Sequence, residues 1–414
     1  MTAKKSYALI HEWLTPQATG GSELVVQAIL DLVEADLYAL IDFESTNPDS
    51  YLYQRAIGTT FLQHFPQARK GVQKYLPLLP LAIEQLDLRH YDVLLSSSHA
   101  VAKGVLTSPH QLHVCYCHTP MRYAWDLTFD YLQGSRAGRG MTGWFTRYLL
   151  HHLRQWDVIS ANRVDYFIAN SHHTARRIWR CYRRPAEVIY PPVNLDRFPL
   201  QPEKQDFYLT VSRLVPYKHG DLIVQAFNQL DRPLIVIGDG PDLPRLQRLA
   251  RPNIQFLGAQ PNAIVEQYMA QAKAFVYAAC EDFGIAPVEA QACGTPVIGY
   301  ARGGVGETVR DLRDDPLGGT GILFTPQTAS ALVAAVEAFE QYQPKFSPEA
   351  IRRQAERFSP QVFAEHYRRF LARCIEAHDR GAPFTPPASP SLAPGNSYPP
   401  PPTQLTDHTG TIVS

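Results

Sequence analysis

The stretch Tyr277-Ala278-Ala279-Cys280-Glu281-Asp282-Phe283-Gly284-Ile285-Ala286-Pro287-Val288-Glu289-Ala290-Gln291-Ala292-Cys293-Gly294-Thr295-Pro296-Val297-Ile298, closed by Gly303-Gly304-Val305-Gly306-Glu307, decides the fold. Its apolar lead-in, residues 274–279, predicts a buried strand. Glu281 to Gly284 is short, acidic and glycine-containing, hence a loop. Pro287 suits the first turn of a helix and Gly294 its end. Residues 295–299 predict the next strand. Strand, loop, helix and strand in this order form a unit of a parallel α/β sheet, whose ligands bind beyond the carboxyl ends of the strands. Glu281 on the loop and Glu289 in the first or second turn put two carboxylates around one helix start. The unpaired N–H groups of that start attract an anion. A ligand carrying both a phosphate and hydroxyls reconciles the two, because a carboxylate accepts two hydrogen bonds from adjacent ribose hydroxyls. A nucleotide sugar is such a ligand.

The same alternation extends in both directions. Residues 7–11 predict a first strand, followed by a loop containing Gly20-Gly21 and a helix over 23–33. Glycine there lets backbone approach a phosphate. Further strands are predicted at 37–41, 91–96, 113–117 and 165–169. After the proline-rich passage Tyr190-Pro191-Pro192-Val193, they resume at 207–211, 233–237 and 254–257. This predicts a doubly wound parallel sheet in each half of the chain. Ser347-Pro348 and Ser359-Pro360 each read as a helix cap followed by proline at the first helical position. The second of these helices gathers Phe363, Tyr367, Phe370, Leu371 and Cys374 on one face. The expected divisions are an N-terminal domain over 1–198, a C-terminal domain over 199–345, terminal helices over 346–380, and a tail over 381–414. That tail holds nine of the 34 prolines and little to bury, which predicts disorder.

A chain of 414 residues is long enough for two domains. Lys plus Arg and Asp plus Glu both number 39, so nothing in the overall charge argues for nucleic acid. Cys115-Tyr116-Cys117-His118 lacks a second ligand pair at zinc spacing, and two cysteines on one strand face read as core. With no leader-like start and no apolar run of about 18 residues, the expectation is a cytoplasmic protein. Two stretches carry alternative readings. Residues 60–90, apolar with a few lysines, are either a helical hairpin packed on the first domain or a surface for a lipid-linked acceptor. The helix after Asn170-Ser171 carries Arg176, Arg177, Arg180, Arg183 and Arg184, and either contacts anionic lipid, the favoured reading, or is a solvated helix face. The glycine- and arginine-rich residues 133–142 read as a mobile loop near the acceptor.

The spacing E-x-F-G-x-x-x-x-E from Glu281 to Glu289, followed by A-x-G-x-P-V-I, resembles the donor-site signature of retaining glycosyltransferases of family 4. The resemblance covers about residues 5–378. It implies the GT-B fold: two Rossmann-like domains facing a cleft, with a C-terminal helix crossing back to the first. Gly20-Gly21-Ser22-Glu23 resembles the family's glycine stretch, which implies that Gly20 and Gly21 approach the donor diphosphate and the reacting sugar. The segment from His118 to Trp125 resembles a mannosyltransferase-like branch, which implies His118 near the donor sugar. By the same resemblance Arg213 and Lys218 are the cationic pair on the diphosphate, Glu281 contacts hydroxyls of the transferred sugar, and Glu289 with Phe283, Gly284 and Ile285 holds ribose and sugar. His219 after Lys218 departs from the Gly or Arg usual there. Two cations stabilise the leaving diphosphate, so no metal and no cofactor beyond the donor are expected. The implied function is retaining transfer of a hexose, mannose from GDP-mannose foremost, to a saccharide or lipid-linked acceptor, with peripheral contact at the inner face of a membrane. The alternatives are a nucleotide-sugar epimerase or hydrolase on the same fold, or a non-catalytic scaffold. A scaffold should have lost Glu281, Glu289, Arg213 or Lys218, and all four are present.

Overall fold

The computed structural model describes residues 5–15, 20–126, 128–129 and 140–381. Most of the expected mobile loop at 133–142 and the tail beyond 381 lie outside the described residues. The first sheet comprises β1 (Tyr7–Leu14), β2 (Asp36–Asp42), β3 (Ile57–Thr59), β4 (Val93–Ser98), β5 (Leu112–Cys117), β6 (Tyr166–Ala169) and β7 (Ala186–Val188), in the order β3-β2-β1-β4-β5-β6-β7. The second comprises β8 (Tyr208–Val211), β9 (Leu234–Ile237), β10 (Ile254–Gly258), β11 (Ala274–Tyr277), β12 (Val297–Tyr300) and β13 (Gly321–Phe324), in the order β10-β9-β8-β11-β12-β13. Every strand pair is parallel. In each sheet the chain order reverses beside the first strand, between β1 and β4 and between β8 and β11. Those are the switch points where doubly wound sheets open a crevice.

Parallel strands are covered on both faces, so their residues are buried without alternation. Successive residues of β1 serve opposite layers: Leu9 joins a core with Val25, Val26 and Ile29, while Ala8 and Ile10 join one with Leu62, Leu79 and Ile83. The short helical segments between Phe61 and Glu84 bury Leu62, Leu79, Ala82 and Ile83 in this second layer. Part of residues 60–90 is therefore packed on the first domain, while Leu81 stays exposed. Strand β1 continues past His11 to Leu14: His11 Nδ1 lies 3.0 Å from the Ser97 carbonyl oxygen, and Glu12 is held as described below.

Ser359 Oγ accepts from the Val362 N–H at 3.4 Å, and the helix Pro360–Asp379 follows. Its face of Phe363, Tyr367, Phe370, Leu371, Cys374 and Ala377 is buried in the core of the first domain, with Phe363 against Tyr116 and Phe370 against Tyr166. Each such large apolar side chain, fully buried, contributes about 1.5–3 kcal/mol. The expected crossover is therefore present as part of the first domain's core. Cys115 and Cys117 are buried in an apolar cluster, and among the described residues no group of three or more His, Cys, Asp or Glu could hold a metal ion.

Candidate functional site

The carboxyl ends of β1, β4 and β5 in one domain face those of β8 and β11 in the other, across a cleft of about 700 Å³. Gly20, Gly21, Glu23, His99, His118 and Arg122 line the first wall; Lys218, Tyr277, Glu281, Phe283, Gly284, Ile285 and Glu289 line the second. The structure thus brings together every sequence-expected site residue except Arg213. Leu214 and Val215 are the buried members of that turn, and Arg213 is exposed and absent from the cleft lining.

On the second wall, β11 ends at Tyr277 and the loop to Gly284 delivers Glu281. Gly284 has φ +86°, a conformation that favours glycine, and caps the helix Ile285–Ala292. Glu281 is not a free acid. One oxygen forms an ion pair with Lys218 Nζ, and the other accepts from the Tyr277 hydroxyl at 2.6 Å. Lys218 Nζ also lies 3.2 Å from that hydroxyl. The family resemblance implies different parts of a ligand for Glu281 and Lys218; folding joins the two side chains. Glu289 lies in the second turn of the helix. Burial pushes its carboxyl up to about 7, opposed by Arg197 and reinforced by Glu266. Arg197 and Glu266 themselves pair at 2.6 Å on the same side of the cleft.

On the first wall, Gly20 caps the helix Gly21–Leu32, and its N–H donates to Glu23 at 2.9 Å. A Cβ on Gly21 would lie 2.5 Å from Ile285 Cδ1 of the opposite wall, so the two domains meet here. Burial opposes ionisation of Glu23, but His11, 3.8 Å away, and Ser22 hold its carboxyl at about 2. His118 ends β5, with Nε2 2.8 Å from Ser97 Oγ. Burial, reinforced by His99 and His11, depresses its pKa well below the usual imidazole value, so it enters the cleft uncharged.

Sequence spacing missed His99 and its support. The buried Glu12 carboxylate accepts N–H groups of His99, Ala100, Val101 and Ala102 at 2.7–3.0 Å, plus Ser98 Oγ at 3.0 Å. Burial disfavours its charge, yet His99 and these donors keep Glu12 ionised and fix the loop after β4. The pair His11-Glu12 in an otherwise apolar strand, together with Ser96-Ser97-Ser98-His99 at the end of β4, was the available signal.

Two parallel-sheet Rossmann-like domains around one inter-domain cleft define the GT-B class. The description "Glycosyltransferase Family 4" matches residues 19–197 and "Glycosyl transferases group 1" matches residues 194–358. The chain belongs to glycosyltransferase family 4. It is 28% identical, over 42% of its length, to the GDP-mannose-dependent alpha-(1-6)-phosphatidylinositol monomannoside mannosyltransferase of Mycolicibacterium smegmatis, covering 53% of that protein. It is 31% identical, over 36% of its length, to the D-inositol 3-phosphate glycosyltransferase of Mycobacterium leprae, covering 41% of it. The chain thus spans about half the length of the curated relatives it matches. Among solved structures, Anabaena HepE in complex with UDP and glucose superposes with TM-score 0.64 at 20% identity, over 88% of this chain and 99% of that one. Sucrose-phosphate synthase of Thermosynechococcus elongatus gives 0.66 at 18% identity, over 90% and 100%. These two likenesses concern the fold.

Proposed function

We propose that the cleft binds a nucleoside diphosphate sugar and that the protein transfers the sugar, with retention of configuration, to a saccharide or lipid-linked acceptor. The observation that carries this reading is the Lys218–Glu281–Tyr277 cluster at the carboxyl ends of β8 and β11, with Glu289 further along the same wall. A diphosphate takes Lys218 from Glu281. The freed carboxylate then accepts hydrogen bonds from the sugar's hydroxyls, so binding the anion readies the acid. Backbone N–H groups at the start of the helix Ile285–Ala292 add to the positive field, and Arg213, exposed next to the cleft-lining Ser212, is the second cation in this reading. Glu289 takes the ribose hydroxyls. His118, uncharged, meets the sugar from the first domain.

The leaving phosphate, held by Lys218 and amides, accepts the acceptor's proton on the face it departs, and charge builds on the sugar in an oxocarbenium-like transition state. The acceptor enters along the first domain, past Glu23 and His99. Mannose from GDP-mannose is the favoured donor, supported by the GDP-mannose-dependent relative and by the segment from His118 to Trp125. The test is a panel of GDP- and UDP-sugars with lipid extract and oligosaccharide acceptors, with the new linkage examined by proton NMR. Retention with one donor supports the reading. Sugar isomerised or released equally fast without acceptor would replace it with an epimerase or hydrolase.

A further inference from the structure

Helix His172–Tyr182 of the first domain, read from sequence as membrane-facing, has its inner side turned towards the second domain. The N–H groups of His172 and His173 donate at 2.8 and 2.7 Å to the two carboxylate oxygens of Glu307, which lies beyond β12 in the second domain. The Tyr190 hydroxyl reaches the same carboxylate at 3.3 Å. A helix leaves its first N–H groups without internal partners, and here a carboxylate from the other domain satisfies two of them. One turn further on, Arg177 is only 9% exposed. Its guanidinium pairs with Asp282 of the second domain and with Asp126 and Thr119 of the first. Arg122 approaches the other Asp282 oxygen at 3.6 Å.

Asp282 is the residue after Glu281. The turn that carries Glu307 is pressed against this same loop: a Cβ on Gly303 would lie 2.3 Å from the Glu281 carbonyl oxygen, and one on Gly304 2.2 Å from that of Phe283. The Gly304 N–H donates to the Glu281 carbonyl at 2.8 Å. Asp282 and Glu307 therefore belong to one stiff piece of the second domain, and they grip successive turns of one helix in the first. A buried ion pair is a weak source of stability because desolvation offsets the attraction. What this arrangement does supply is a fixed placement of the loop bearing Glu281.

We propose that Arg177 and Glu307 are positioning residues: by locking the first domain onto the Glu281–Phe283 loop, they set Glu281 against the cleft only when the domains are closed. The sugar-facing part of the site is then incomplete in an open molecule. This rests on the functional reading above for the role of Glu281, but the lock itself is tested separately.

The experiment is a charge swap on the full chain. Arg177→Glu, Asp282→Arg, the double variant and Glu307→Gln are compared with wild type by thermal melting, by small-angle scattering with saturating GDP or UDP, and by turnover with the donor found in the panel. Each single variant should show a larger radius of gyration and lose about tenfold or more in turnover, while nucleoside diphosphate affinity changes less than about threefold. The double variant should recover part of the compactness and turnover lost by the singles, as expected for directly coupled residues, with Asp126 and Arg122 opposing full rescue. Singles indistinguishable from wild type, or a double variant no better than either single, overturn the proposal. Should an Arg177 variant fail to fold, the near-isosteric Glu307→Gln decides: an unchanged radius and turnover overturn it, and opening with lost turnover supports it. If no nucleotide sugar is consumed by wild type, the functional reading fails while scattering still judges the lock.

Discussion

Burial pushes the Glu289 carboxyl up to about 7. In the proposed role, ribose hydroxyls donate to its ionised form, so nucleotide binding should release a proton wherever Glu289 is protonated. Affinity for the nucleoside diphosphate should therefore be highest above pH 7 and weaken as pH falls through that value. Calorimetry in buffers of different ionisation enthalpy reads both the affinity and the released proton. Glu289→Ala should weaken binding by about 1–3 kcal/mol and abolish this pH dependence. Glu281→Ala behaves differently, because it frees Lys218: turnover should fall sharply while nucleoside diphosphate affinity stays equal or rises. His118→Ala should also lower turnover with little change in affinity, and stopped-assay rates beside titrations separate these cases. Glu281, Glu289 and the glycines were legible in sequence because a strand-loop-helix unit fixes their spacing locally, whereas Lys218 was singled out by the family resemblance. The partners of these residues were not. Arg177 meets Asp282 across 105 positions of chain, and no periodicity within a helix reveals which of its arginines turns inward.

At the scale of elements, strand and helix types were readable wherever buried parallel strands gave apolar runs. The three-residue β3 was too short to carry a pattern, and its pairing with β2 follows from tertiary contact. The arginines in and just after the helix His172–Tyr182 fall into two groups. Arg177 is spoken for by the inter-domain pairs, whereas Arg176, Arg180, Arg183 and Trp179 are exposed. Weak binding to anionic vesicles should depend on Arg180, Arg183 and Trp179 and fade with added salt. Co-sedimentation equal for anionic and neutral vesicles would remove that expectation. The terminal helix is a stability element. Phe370→Ala should cost about 3–5 kcal/mol and Ser359→Ala about 1 kcal/mol, with denaturant melts of the two variants giving the comparison.

At the scale of the molecule, the two sheets repeat one strand order and present one cleft. Lys218, Glu281 and Glu289 line the cleft from the second domain, and His99, His118 and Glu23 line it from the first. Turnover should survive EDTA, since Lys218, Arg213 and helix-start amides answer the diphosphate charge in this account. Loss with EDTA and recovery with magnesium or manganese would contradict it. Among the described residues no helix is long and apolar enough to cross a membrane.

The return of the Pro360–Asp379 helix to the first domain also bears on how the protein is made. On the ribosome, β1 to β7 emerge with the faces of Val25, Ile29, Tyr116 and Tyr166 still lacking Phe363, Tyr367 and Phe370. At about 5–20 residues per second, the missing helix follows the end of β7 by about 10–40 s. The half of the protein synthesised first is thus completed last, and through that interval it presents an unfilled apolar groove to chaperones. A nascent chain arrested before residue 360 should be bound by them far longer than one released at full length.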